Sequence, residues 1–72
     1  MAESLMAAMS ECEAAARTRL HTLGGWHELT PLMYASMCML CGEITWVSQS
    51  SDEKHWRIGG KAVERDCLRE EV

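Results

Sequence analysis

A small α+β domain is expected of this 72-residue chain on three grounds. Residues 3–23 are rich in alanine and repeat apolar side chains at three- and four-residue steps, which is a helical period. Glu43 to Val47 alternates β-branched and aromatic side chains, which is strand composition. Glycines at 24–25, 42 and 59–60 punctuate the chain between such segments. A chain this short buries only about 60% of its unfolded surface. Residues 1–72 therefore make a single small domain that calls for a staple: a metal, disulfides or a partner subunit.

The first element is a long amphipathic helix within residues 1–24. Ser4 serves as its N-cap, and Leu5, Met9, Cys12, Ala16, Leu20 and Leu23 form its apolar stripe, with Gly24 as the left-handed stop. That stripe is longer than a monomer core of this size needs, so a homodimer is expected from it. A short second helix follows from Thr30 to Cys41, because Pro31 suits a first helical position after a Thr cap. Its Leu32, Met33, Tyr34, Met37, Met39 and Leu40 are apolar nearly all round. A two-stranded hairpin comes next, Glu43 to Val47 returning through His55 to Ile58, with Trp46 and Trp56 meeting across the pair. A C-terminal helix from Lys61 to Glu71 closes the fold, with Ala62, Val63 and Cys67 inside. Carrying Gly59 and Gly60 inside one longer helix would cost roughly 2 kcal/mol.

Charge narrows the function. The chain has 7 Lys+Arg against 11 Asp+Glu, a formal net charge of -4. A phosphate-backbone binder needs the opposite surplus, so nucleic acid is not expected as a partner. No apolar run reaches the roughly 20 residues of a membrane helix, and the N-terminus lacks a secretory pattern. A cytoplasmic location and no membrane partner are expected. So small a core gives little rigid support for a catalytic constellation, and no catalytic residues are assigned.

Chemistry concentrates in Cys38-Met39-Leu40-Cys41-Gly42. Two cysteines separated by two residues can reach one tetrahedral ion at about 2.3 Å, and the following glycine permits the positive φ that turns the backbone away. With a hairpin and a helix after it, this knuckle resembles the treble-clef and zinc-ribbon families over residues 38–68. The resemblance makes residues 30–72 a candidate zinc-finger-like unit and implies a second Cys-x-x-Cys. Glu64-Arg65-Asp66-Cys67 has that spacing with Glu64 in the first position. The candidate ligands of a structural zinc are therefore Cys38, Cys41 and Cys67, with Glu64 or His55 as the fourth. Cys12 and His21, both placed on the first helix, are less favoured. The competing reading is that the four cysteines are buried reduced thiols, since free cysteine often serves as a small hydrophobe. Both readings stand on the sequence.

A protein-interaction or regulatory module follows from these features. In size and charge the chain is similar to small phage and mobile-element inhibitors of host proteins or defence complexes, such as anti-CRISPR proteins. That resemblance implies a larger host protein as partner, besides a second copy of the chain itself. Trp26, Met33, Met37, Leu5 and Met9 are the candidate partner-binding residues, because methionine and tryptophan make adaptable docking surfaces. The alternative function is a transcription-associated zinc finger that binds RNA polymerase or nucleic acid.

Overall fold

The computed structural model describes residues 3–68. Helix α1 spans Leu5–Thr18 and begins where its cap predicts, with the Ala7 N–H donating to Ser4 Oγ at 3.1 Å. It ends earlier than Gly24. Arg19 is the C-cap, and Leu20 takes the left-handed conformation at φ +67°. The Leu20 N–H donates to the Arg17 carbonyl and the His21 N–H to the Ala16 carbonyl, each at 2.9 Å. This pair of bonds is the Schellman arrangement, in which glycine is usual at the left-handed position. A leucine there costs about 1–2 kcal/mol in local strain, and as a strong helix former it conceals the stop.

The expected helix from Thr30 to Cys41 is absent. Strand β1 (His27–Thr30) and strand β2 (Met33–Met37) occupy this region and pair antiparallel around Pro31-Leu32. Thr30 and Pro31 make a turn instead of a helix start, with Thr30 Oγ1 accepting from the Leu32 N–H at 3.2 Å. Proline cannot take the positive φ of the turns that best match strand twist, and the register shifts between Glu28 and Thr30. In β2 the outward Met33, Ala35 and Met37 alternate with Tyr34 and buried Ser36. Apolar residues on both faces erase the period-two signal that separates a strand from a buried helix.

Strand β3 (Ile44–Ser48) pairs with β2 and with β4 (Arg57–Gly60), giving a four-stranded antiparallel meander in the order β1-β2-β3-β4. The two-stranded hairpin is thus one half of a larger sheet. The two tryptophans do not meet. Trp46 lies opposite Gly59, where a Cβ would come within 2.4 Å of its ring. Trp56 is buried on the other face, with its ring 6.1 Å from that of Tyr34. The closing helix α2 is a single turn, Lys61–Glu64, after which Arg65 is extended. Residues 69–71 of the expected helix lie outside the described residues. The chain leaves α2 because tertiary bonds claim it: the Cys67 N–H donates to the Arg19 carbonyl at 2.8 Å. No helix among the described residues is long and apolar enough to cross a membrane.

Both helices pack on one side of the sheet, against β3 and β4. The core cluster is small: Ala8, Cys12, Val47 and Trp56, with Leu5, Met9, Trp26, Tyr34, Ile58 and Val63 packed around it. Ala8, Cys12 and Ala16, four apart, form the fully buried seam of α1. Small residues let the helix approach the sheet closely, at the expense of apolar area. At the centre, the Thr45 hydroxyl donates to the Gly59 carbonyl at 2.7 Å. Its oxygen then accepts from the Cys12 thiol, also at 2.7 Å. Replacing Thr45 with isosteric valine removes the partner of the buried Cys12 thiol and of the part-buried Gly59 carbonyl, and is expected to cost about 1–3 kcal/mol. Urea unfolding of Thr45→Val against the parent measures this directly; an unchanged midpoint would show that the pair of bonds contributes nothing.

Candidate metal centre

Three chain segments converge at one end of the sheet. The first is the exit of α1, where the Schellman turn delivers His21 into the interior at 4% exposure. The second is the knuckle between β2 and β3. There Cys38 forms an isolated bridge with Leu23, and its N–H donates to the Glu43 carbonyl at 2.8 Å. The Gly42 N–H closes the turn on the Cys38 carbonyl at 2.9 Å, and Gly42 takes φ +81°. The Leu40 N–H points at Cys38 Sγ from 3.4 Å. The third segment is the extended stretch after α2, which brings in Cys67.

The donor atoms of His21, Cys38, Cys41 and Cys67 all lie within 4.8 Å of one another, and together they can hold a metal ion. Cys38 Sγ and Cys67 Sγ are 3.8 Å apart, and Cys41 Sγ is 3.4 Å from His21 Nδ1. The far ring nitrogen, His21 Nε2, is 2.6 Å from the Arg65 carbonyl. A carbonyl only accepts, so the N–H sits on Nε2 and the Nδ1 lone pair faces the sulfurs. An outer hydrogen bond of this kind fixes the tautomer and aims the ring of a metal-binding histidine.

The local electrostatics favour the charged forms of both Cys38 and His21. Burial pushes the Cys38 thiol up, but the Cys41 and Leu40 backbone N–H groups, with His21, outweigh it and hold it at about 5. It is therefore a thiolate at neutral pH, the form that binds metal. Burial alone would depress the His21 imidazole; the Arg65 carbonyl and the neighbouring sulfurs raise it instead. The two shifts are complementary: N–H donors stabilise the Cys38 anion, while a carbonyl and the sulfurs stabilise the His21 cation.

Of the residues expected as ligands, the structure brings together Cys38, Cys41 and Cys67. Glu64 is exposed on α2 and His55 is exposed before β4, and neither joins the cluster. Cys12 lies in the core, where burial raises its thiol and Thr45 pairs with it. No local motif ties His21 to the knuckle, because the histidine arrives through the helix exit rather than through spacing along the chain. Among the residues expected to bind partners, Leu5, Met9 and Trp26 pack half-buried against the core. Met33 and Met37 lie on the outer face of the sheet, the first half-buried and the second exposed. No known protein family, curated protein or solved structure matches this chain.

Proposed function

We propose that this chain is a zinc-stapled protein-interaction module that carries out no chemistry of its own. The four-donor cage is the observation that carries the reading. A tetrahedral zinc, with Zn–S near 2.3 Å and Zn–N near 2.0 Å, sets its ligand atoms roughly 3.5–3.8 Å apart. The contacts of 3.8 Å and 3.4 Å are close to that spacing, with all four donors inside 4.8 Å. Three thiolates and an imidazole suit a borderline-soft ion. A two-iron cluster would need its ligands spread around two irons and their bridging sulfides, a wider cage than the 4.8 Å that encloses all four donors. With every position filled by protein, no site is left for water or substrate, which is the structural rather than the catalytic pattern.

The chemistry outside the cage supports interaction rather than nucleic-acid binding. Arg19 pairs with Asp66, Arg57 with Glu53 and Arg65 with Glu43, at 3.3, 2.7 and 3.2 Å. Of the basic residues near the C-terminal end, Arg57 and Arg65 are thus matched by acids. The outer sheet face, by contrast, is apolar and uncovered. The partner expected is another folded protein, met through apolar surface.

Elemental analysis with thiol counting tests the staple. The parent chain is expected to carry one zinc. His21→Ala and Cys67→Ser lose it, while His55→Gln, Glu64→Gln and Cys12→Ala keep it. Retention of zinc by His21→Ala together with its loss in Glu64→Gln would overturn the assignment.

A further inference from the structure

The cage holds its four donors unequally. Cys38 and His21 are 1% and 4% exposed, whereas Cys41 and Cys67 are half-buried and reach solvent. The donors also pair off in space. Cys38 Sγ lies 3.8 Å from Cys67 Sγ, and Cys41 Sγ lies 3.4 Å from His21 Nδ1. One sulfur-to-sulfur contact therefore bridges two separate segments, the knuckle and the stretch after α2. Both backbones are anchored where these sulfurs arise. The Cys38 N–H donates to the Glu43 carbonyl and the Cys67 N–H to the Arg19 carbonyl, each at 2.8 Å. The fold itself thus sets the two sulfurs face to face.

We propose that the cage is a peroxide-responsive switch, in which Cys38 and Cys67 join as a disulfide and the zinc is released. Zinc undergoes no redox change, so the electrons come from sulfur. The half-buried Cys67 thiolate attacks the O–O bond of hydrogen peroxide, becomes a sulfenic acid and expels hydroxide. The Cys38 thiolate, 3.8 Å away, then attacks that sulfur and displaces a second hydroxide. Each sulfur loses one electron and the peroxide gains two. With two protons taken up, the products are one disulfide and two waters. A disulfide is about 2.05 Å long, so the pair closes by roughly 2 Å.

His21 and Cys41 then remain as the only donors, half of what a structural zinc site requires. The new bond keeps the knuckle tied to the stretch after α2, while the α1 exit loses its tie through the metal. The Cys-x-x-Cys spacing alone points to a bond inside the knuckle; the tertiary contact assigns Cys38 to Cys67. Cys12 stays out of the reaction, being 0% exposed and paired with Thr45. The oxidation consumes the chain's own thiolates once and is not turnover. This inference names the regulation of the metal centre and rests on the zinc-stapled reading.

The test treats the zinc-loaded full chain, freed of reductant, with a few equivalents of hydrogen peroxide. A chromogenic chelator reads released zinc, and thiols are counted after unfolding. Mass spectrometry of alkylated tryptic peptides reads the pairing. The parent has four cysteines. It is expected to lose one zinc and two thiols together, with Cys38 joined to Cys67 and the alkyl label on Cys12 and Cys41. A thiol reductant with added zinc restores the starting content, and Cys12→Ala releases zinc at the parent's rate. Zinc retained after treatment overturns the switch, as does zinc lost without a Cys38–Cys67 bond; in both cases the loaded starting material leaves the zinc-stapled reading standing. A chain that takes up no zinc before peroxide is added overturns both.

Discussion

Removing metal from the purified protein with a chelator is expected to unfold it, and restoring zinc to refold it. The buried core has only Ala8, Cys12, Val47 and Trp56 at its centre, and a chain of this size seldom gains more than about 3–5 kcal/mol from its core. Zinc binding in small structural sites contributes about 10–16 kcal/mol. A bound ion would also tie together the α1 exit, the knuckle and the stretch carrying Cys67, adding to the hydrogen bonds that already link them. Tryptophan emission reports the outcome, because Trp56 is 8% exposed when folded and shifts to the red when hydrated. Cys38→Ser should behave like the chelated protein at any attainable zinc concentration, since it removes the most buried of the thiolate donors. A chain stripped of zinc that retains its near-UV circular dichroism would refute a structural role for the metal.

Gly60→Ala is expected to cost at least about 3 kcal/mol. Gly60 has φ +106° and ψ 166°, between β4 and α2. That region of backbone space is essentially glycine's alone, and a side chain there costs about 1–3 kcal/mol. The clash adds to it. A Cβ would come within 2.5 Å of the Ile44 carbonyl oxygen and 2.7 Å of the Thr45 Cα, both backbone atoms of the neighbouring strand. Relief requires β3 and β4 to separate, which breaks the Thr45↔Gly60 pairing. With about 4–8 °C per kcal/mol in a domain this small, the melting temperature of the zinc-loaded protein should fall by roughly 12 °C or more. Gly25→Ala is the control, because a Cβ there meets nothing within 4 Å. Equal melting temperatures for the two variants would remove the steric argument.

Local signals carried some parts of this molecule and failed at others for identifiable reasons. Ser4 announced the helix start because capping is a contact between near neighbours. Ile44 to Val47 announced a strand because its types and alternation agree. The Cys38–Cys41 knuckle and its Gly42 were legible because spacing and backbone conformation are settled within five residues. The segment from Thr30 to Cys41 misled, since a strand with apolar residues on both faces has no readable period. Leu20 misled because a strong helix former occupies the position where the helix stops.

The fourth donor of the cluster shows where local reading ends. Composition, a capped helix, a β-forming stretch and a pair of sulfurs at metal spacing belong to the amino-acid order alone, because each depends on interactions within a turn or two of chain. Glu64 had the right interval from Cys67, and the fourth donor of the cluster is His21. That choice needed the Schellman turn at the end of α1, the knuckle carried between β2 and β3, and the Arg65 carbonyl that aims the ring. Those groups are distant in sequence and meet only when the sheet is assembled. Which side of the sheet stays bare is settled in the same way, by where two short helices find room to pack.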